Sequence, residues 1–479
     1  MTTSAQADSS RIDRAYCFEG AYGVIPAAGT KVITGATNAN PIVVTSAAHG
    51  YQTGQSLDVS GVVGNTNANG RWDILVVDAN NYSLVGSQGN AAYTSGGLSA
   101  VAVHSIRATT DAPKYAIEKT RSKEARSDRK STGLILVRAS ADLDIGFELS
   151  HKEFDYVLPA VLQAQWQTHG HRGQGAPFTG TFSAGNTLTA SVAPTGSSAF
   201  IGLKKGQWIT VKNSSIAANN DKMVQVSKTT APTTTVIVFE GAPFTNGGGG
   251  AACILTGARL QEGVLQRGVD FERAYRDVVQ FQAFRGLMFD QFSIDFQQGN
   301  ILGGSLKLIG KDGLPMITAT SLPAAAAASS TNDTLNAVTG ISNIQQDGAV
   351  LTKSLMKVSL QIINQQRKRF AIGASGPIGI GNGELIITGA QESYLEDGTR
   401  YTQMINNAPF ALGFGVQDTS GNGLYITLPR ARFSDTNPSA SGENSDIMDP
   451  GAFECEADLG NADPALQSTI IIDRFGAVF

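Results

Sequence analysis

The sequence predicts a mainly β protein with few helices: a duplicated sandwich- or barrel-like fold, with two further small β modules inserted into it. Three observations carry this. Apolar residues alternate over short stretches rich in Val, Ile and Thr, punctuated by Gly and Asn, the pattern of half-buried strands between turns. One plan is spelled twice along the chain. Within the first of those copies, two segments of similar length resemble each other.

The duplicated plan begins with a strand followed by a helix. Asp144–Leu149 precedes a helix-like stretch from His151 to Trp166, and Gly383–Thr388 precedes one from Glu392 to Asn407. A strand-like run follows in each half, Gly286–Phe296 and Gly423–Phe433. Each half then closes on another β-rich run, Gly304–Gly310 and Ile470–Phe475. Identity between the halves is low, so order and pattern carry the argument. Such a tandem matters most in symmetric assemblies, where one chain can fill two equivalent positions.

The inner pair of segments spans 31–103 and 179–256. Ile201–Val211 and His49–Val59 each carry a glycine, then Gly-Gln, then alternation into a strand. Each continues into an Asn-rich turn, where left-handed backbone is tolerated. The glycines at Gly96–Gly97 and Gly247–Gly250 read as loose exits from inserted domains. The expected organisation is a first copy built from 1–30, 104–178 and 257–320, the two modules, an Ala/Ser-rich linker at 321–334, and a second copy at 335–479. Without the modules the first copy has about 170 residues and the second about 145, comparable sizes for two versions of one domain.

Helical spacing puts Phe154, Val157, Leu158, Val161, Leu162 and Trp166 on one face of the first helix. Tyr401, Met404, Ile405 and Ala408 share a face of the second. Both faces are expected to cover a sheet. Pro159 lies inside the first helical stretch and predicts a late start or a kink.

Composition excludes several function classes. The 479 residues can bury a large core without staples, and suit roughly three or four domains. Lys and Arg total 36 against 40 Asp and Glu, so no overall positive charge drives nucleic-acid binding. The three cysteines, Cys17, Cys253 and Cys455, have no CxxC spacing, which argues against a disulfide framework or a zinc site. No apolar run is long enough to span a membrane.

Candidate chemistry is sparse. His169 and His171 form the only close histidine pair, and two ligands do not make a metal site. Gly373–Gly383 is glycine-rich but lacks the Lys-Ser/Thr of a phosphate loop. Glu148, Glu153 and Asp155 are close in sequence, yet nothing in the sequence places them in one cleft. No catalytic residues and no cofactor site are expected. The densest charge run is Glu118–Lys130, with Arg367–Arg369 as its counterpart by order in the second half. A solvated loop is its default reading.

Taken in order, Tyr22–Pro26, Ile145–Leu149, Phe154–Leu158, Phe271–Tyr275, Phe284–Met288, Ser305–Asp312, Tyr394–Asp397 and Leu424–Pro429 resemble the major tail tube proteins of long-tailed, non-contractile bacteriophages. The charged stretch around Arg126–Arg129 belongs to the same resemblance. The segment 31–103 is similar to a small β module often found in phage proteins. The resemblance implies a virion protein that is assembled in the host cytoplasm and stacks as rings around a lumen. Its implied partners are itself, the tape-measure protein, and the tail terminator and tip proteins, with DNA passing through unread. If each half is one tube fold, a ring needs three chains; six is the alternative. In such a tube Lys119, Arg121, Lys123, Arg126, Arg129, Lys130, Arg367, Lys368 and Arg369 are expected at ring-to-ring contacts, where charge sets register more than affinity. A glycan-binding adhesin and a β-rich hydrolase are the competing readings, which the assembly state would separate.

Overall fold

The computed structural model describes residues 7–476 except 9–10, 125–126, 129, 131–132, 168–176, 195–198, 338–339, 352–354 and 440–441. Strands dominate, with two short α-helices, Val157–Val161 and Thr399–Ile405.

The duplication is explicit in the strand order. In the first half, Thr110–Arg121 pairs with Leu134–Glu148, which pairs with Gly303–Gly310, which pairs with Gln280–Gln297. The near end of Gln280–Gln297 then pairs with Val269–Tyr275, and that strand with Ile12–Phe18. In the second half, Leu355–Ile363, Ile386–Tyr394, Met448–Cys455, Gly423–Asp435, Phe410–Gln417 and Ile341–Gln346 follow the same order. The helices occupy equivalent places in the chain, each after the second strand of its half. In both halves the long strand contributes to two layers, so it must kink. It does so at a bulge, between Phe289 and Gln291 in one copy and between Phe433 and Asp435 in the other.

That bulge corrects the register expected from sequence. Phe289 is equivalent to Phe433, so the run beginning at Gly286 is not the counterpart of the run beginning at Gly423. The closing strands differ too. Gly303–Gly310 corresponds to Met448–Cys455, whereas Ile471–Phe475 pairs with Gly423–Thr427 and with Ala258–Gln261 of the first half. Alternating apolar residues fit many registers equally well, and only the partner strand selects one.

Both helices are shorter than the periodicity suggested. The first starts late, at Val157, and Pro159 lies in its first turn, where the missing N–H had no intrahelical acceptor. The predicted apolar face of this helix is buried in the main core from Phe154 to Trp166. The prediction fails for the second helix. Met404 packs on the core, but Tyr401 and Ile405 are 45% and 63% exposed.

Two smaller sheets lie apart from this frame. One uses strands between Lys31 and Val101, the other strands between Phe178 and Thr256. Matching strands pair in the same succession in both, and each has its own apolar core. The Asn-rich turns form single 3-10 turns, Thr66–Ala68 and Ala217–Asn219. The glycines are not loose tethers. Gly247–Thr256 is a strand, and a Cβ on Gly249 would lie 2.7 Å from the Phe182 ring. At Gly97, with φ +112°, a Cβ would meet Val62 at 2.7 Å. Close packing demands glycine at these positions.

Both modules are docked by buried polar contacts. Arg267 pairs with Asp73 at 2.9 Å, and Gln55 donates to the Phe18 carbonyl. In the other module the Trp208 ring stacks on Tyr425 at 4.0 Å, and its backbone N–H donates to Asp473. The Ala/Ser-rich segment is an extended strap. Leu322 is buried in the core of the first module, and the Ala327 N–H bonds the Val103 carbonyl.

Candidate assembly surface

Two strand pairs join the halves, Ala258–Gln261 with Ile471–Phe475 and the pair that continues the main sheet. Gln291–Gln297 pairs antiparallel with Lys357–Ile363, in a register running from Gln291↔Ile363 to Gln297↔Lys357. The Gln298 N–H donates to the Met356 carbonyl and the Asn364 N–H to the Asp290 carbonyl. On the core side Phe292, Ile294 and Phe296 face Ile362, Leu360 and Val358, all buried. Asn364 extends the joint, because its side-chain amide donates to the Val161 and Phe289 carbonyls at 2.9 Å. Gln163 and Asn382 exchange two side-chain hydrogen bonds beside it. The first helix is therefore roofed by the second half.

Buried ion pairs reinforce the frame. Arg474 contacts the Asp155 carboxylate at 2.9 Å, and Arg259 contacts Asp473 at 2.8 Å. Each side chain in these pairs is at most 5% exposed. Removal of one member would leave a buried charge uncompensated. A second cluster holds two acids near the Arg285–Asp312 ion pair. Glu19 accepts from the Gly23 and Gly286 N–H groups at 2.8 and 2.5 Å. Asp270 lies against it, and neither of its oxygens meets a donor among the described residues. Burial, followed by repulsion from Glu19, pushes the Asp270 carboxyl up to about 10, so it holds a proton at neutral pH.

The three carboxylates near the first helix do not converge on a catalytic cleft. Glu153 accepts from the Arg107 and Ser330 N–H groups and fastens the strap, while Asp155 is spent on Arg474. Among the described residues no cluster of His, Cys, Asp and Glu could hold a metal. His169 and His171 lie outside the described residues. Among the described residues no helix is long and apolar enough to cross a membrane.

The charged stretch is not wholly a loop. Glu118–Arg121 completes the strand Thr110–Arg121, and Arg138 on the opposite strand pairs with Glu118 at 2.7 Å. The hairpin projects beyond the sheet. Its return strand exposes Leu134, Ile135, Leu136 and Val137, each more than half exposed. Lys119, Arg121, Lys123 and Lys130 are exposed; Arg126 and Arg129 lie outside the described residues. The second-half counterpart is used within the chain. Lys368 pairs with Asp142 at 2.6 Å, Arg138 lies over the Phe370 ring, and Arg367 donates to the Asn382 carbonyl. Arg369 is exposed. The basic residues were legible in the sequence, whereas the apolar run of the return strand was not singled out.

Two open edges complete the surface. Among the described residues, Thr110–Arg121 pairs only on its Leu134–Glu148 side. Beyond Asp435, the chain up to Ser439 follows Met448–Cys455 on one side, with a bridge from Ser439 to Met448. No strand covers its other side among the described residues. Two equivalent halves are thus joined edge to edge and end, among the described residues, in unpaired edges. A sequence model of the phage tail tube protein family matches residues 10–457, and the chain belongs to that family. It is a structural protein of the virion tail. No curated protein matches the chain.

Proposed function

We propose that this protein self-assembles into stacked rings that form the tail tube, the conduit through which the phage genome leaves the virion. The carrying observation is the sheet that runs without a break through two equivalent halves and stops at an open edge on either side. A ring of three chains would repeat this half-to-half contact around a pseudo-sixfold axis, while six chains remain the competing count. The protein acts in this reading as scaffold and not as an enzyme. The tape-measure protein occupies the lumen before ejection, the terminator and tip proteins close the ends, and DNA passes without sequence-specific contacts. Assembly takes place in the host cytoplasm.

The same reading makes 31–103 and 179–256 inserted domains that face outward, and the hairpin carrying Lys119, Arg121, Lys123, Arg126, Arg129 and Lys130 a contact to the next ring. Lys368 supports that arm from within the chain. Negative-stain microscopy of concentrated protein, followed by a tail reconstruction, tests the reading. Hollow tubes with three chains per ring are expected. Protein that stays monomeric, together with virions that lack it in the tail shaft, would overturn it.

A further inference from the structure

We propose that the ring closes in a defined register: the open edge of Thr110–Arg121 in one copy adds to Asp435–Ser439 of the next, with Asp435 opposite Ala116 and Ser439 opposite Ala112. This rests on the ring reading above and specifies its chain-to-chain contact.

The internal joint supplies the template. The shared bulge makes Gln291 equivalent to Asp435. Gln291 faces Lys307 and Asp435 faces Ala452, so those two are equivalent. Lys307 faces Asp144, which faces Ala112. Ala452 faces Ala390, which faces Ser359. Ala112 therefore occupies the place of Ser359, and Ala116 that of Ile363. Inside the chain Asp295 faces Ser359 and Gln291 faces Ile363. The same pairs translated to the open edges are Ser439–Ala112 and Asp435–Ala116.

Three features bear on this register. The first is proline, which sets a cost. The hydrogen bonds at Met356 and Asn364 show that even-numbered residues of Leu355–Ile363 exchange bonds with the first half. Leu360 and Ile294 form one such pair, and their equivalents are Pro113 and Pro438. A proline opposite any other residue there would leave that residue's carbonyl without a donor. Two prolines opposite each other make a single rung with no backbone hydrogen bond and two carbonyls unmet. Proline on exposed edges discourages pairing in general, so the support for this register comes from the next two features.

The second feature is the helices. Gln163 and Asn407 share positive φ, and the Ala164 and Ala408 N–H groups bond Pro159 and Gln403 in the same way. Val161 thus corresponds to Ile405 and Val157 to Tyr401. Val157 and Val161 are buried, whereas Tyr401 and Ile405 are exposed. Asn364, which touches Val161, corresponds to Ile117, itself exposed. The register carries Ile117 of one copy to the turn of Ile405 in the next, so two unpartnered apolar residues would cover each other. The third feature is the Thr436 N–H, equivalent to that of Phe292. Its acceptor is the Met404 sulfur at 3.2 Å, a weak one. The register offers it the Tyr115 carbonyl.

Lys114 and Asn437 are directly opposite in this register, between bonded pairs, where Cβ atoms approach closely enough for a disulfide. The three native cysteines are buried. The test is a Lys114→Cys, Asn437→Cys double variant, assembled and then mildly oxidised. The expected result is a covalent ladder that ends at the ring's chain count, with at least several-fold more cross-linking than an Ala116→Cys, Asn437→Cys control. Tubes that form normally but cross-link no better than the control would overturn the register while leaving the tube reading intact. Wild-type protein that forms no tubes would overturn both. If the cysteine variants fail to assemble, hydrogen exchange on wild-type protein decides. Protection of the Tyr115 and Thr436 amides in tubes relative to monomer supports the joint, and unchanged exchange at both overturns it.

Discussion

The two halves are built alike and finished differently. The first long strand meets Leu355–Ile363 across a seam that is apolar on its core face, and its helix is roofed by Asn364 and Asn382. The second long strand runs into Asp435-Thr-Asn-Pro-Ser439 with that side open, and its helix shows Tyr401 and Ile405 to solvent. Where the contact is covalently tethered and permanent, the residues are core residues. Where the same place awaits another molecule, the residues are small, polar or proline, with a few apolar ones held back. The difference separates a contact made during folding from one that must form later and only in one way.

The comparison breaks most severely if the halves fold separately. Asp155→Ala would remove the carboxylate that pairs with the buried Arg474 and should cost about 3–5 kcal/mol. A single urea transition should move as a whole, because Asp155 belongs to the first half and Arg474 to the second. Two transitions, with one unmoved, would deny the shared frame. Leu360→Ala at the internal seam comes next, with an expected loss of about 2–5 kcal/mol. A residue beside the open edge sharpens the contrast. Ile405→Ser should leave monomer stability within about 0.5 kcal/mol and still weaken assembly, read as a raised critical concentration. Equal destabilisation by both substitutions would mean that the second helix is already covered.

The buried acids give a pH test of the first half alone. The Asp270 carboxyl ionises at about 10 when folded, against roughly 4 when unfolded. Its contribution is intact below the unfolded value and is lost progressively as pH rises toward the folded one. Urea midpoints should therefore fall from about pH 5 to about pH 9, and Asp270→Asn should flatten that slope. An unchanged slope would place the proton elsewhere. The smallest effect is expected at the hairpin. Arg121→Glu with Arg126→Glu should leave the fold unchanged, because exposed pairs are worth about 0–1 kcal/mol each. Stacking should weaken, as it should for wild-type protein at high salt. Normal stacking of this variant at low and high salt would detach the hairpin from the ring-to-ring contact.

Much of this was legible in the residues. Strand punctuation, the repeated order of elements and the likeness of the two modules could all be read from pattern, because each depends on neighbours close in sequence. Register could not. The match of Gly286 with Gly423 looked sound because apolar residues alternate in both runs, while the bulge that sets the true offset is made only by the partner strand. The glycines at Gly247–Gly250 looked like a tether because sequence shows their freedom, not the Phe182 ring that requires it.

By itself the sequence determined the β class, the duplication, the inserted modules and the apolar faces of both helices. Tertiary structure alone decided which of those faces is covered. Val157 and Val161 share their spacing with Tyr401 and Ile405, yet one pair is core and the other is surface. The reason is physical: periodicity fixes which residues share a face, while burial depends on what distant chain arrives to meet it. For Val161 that chain is Asn364, about two hundred residues away, and for Ile405 no such segment arrives among the described residues.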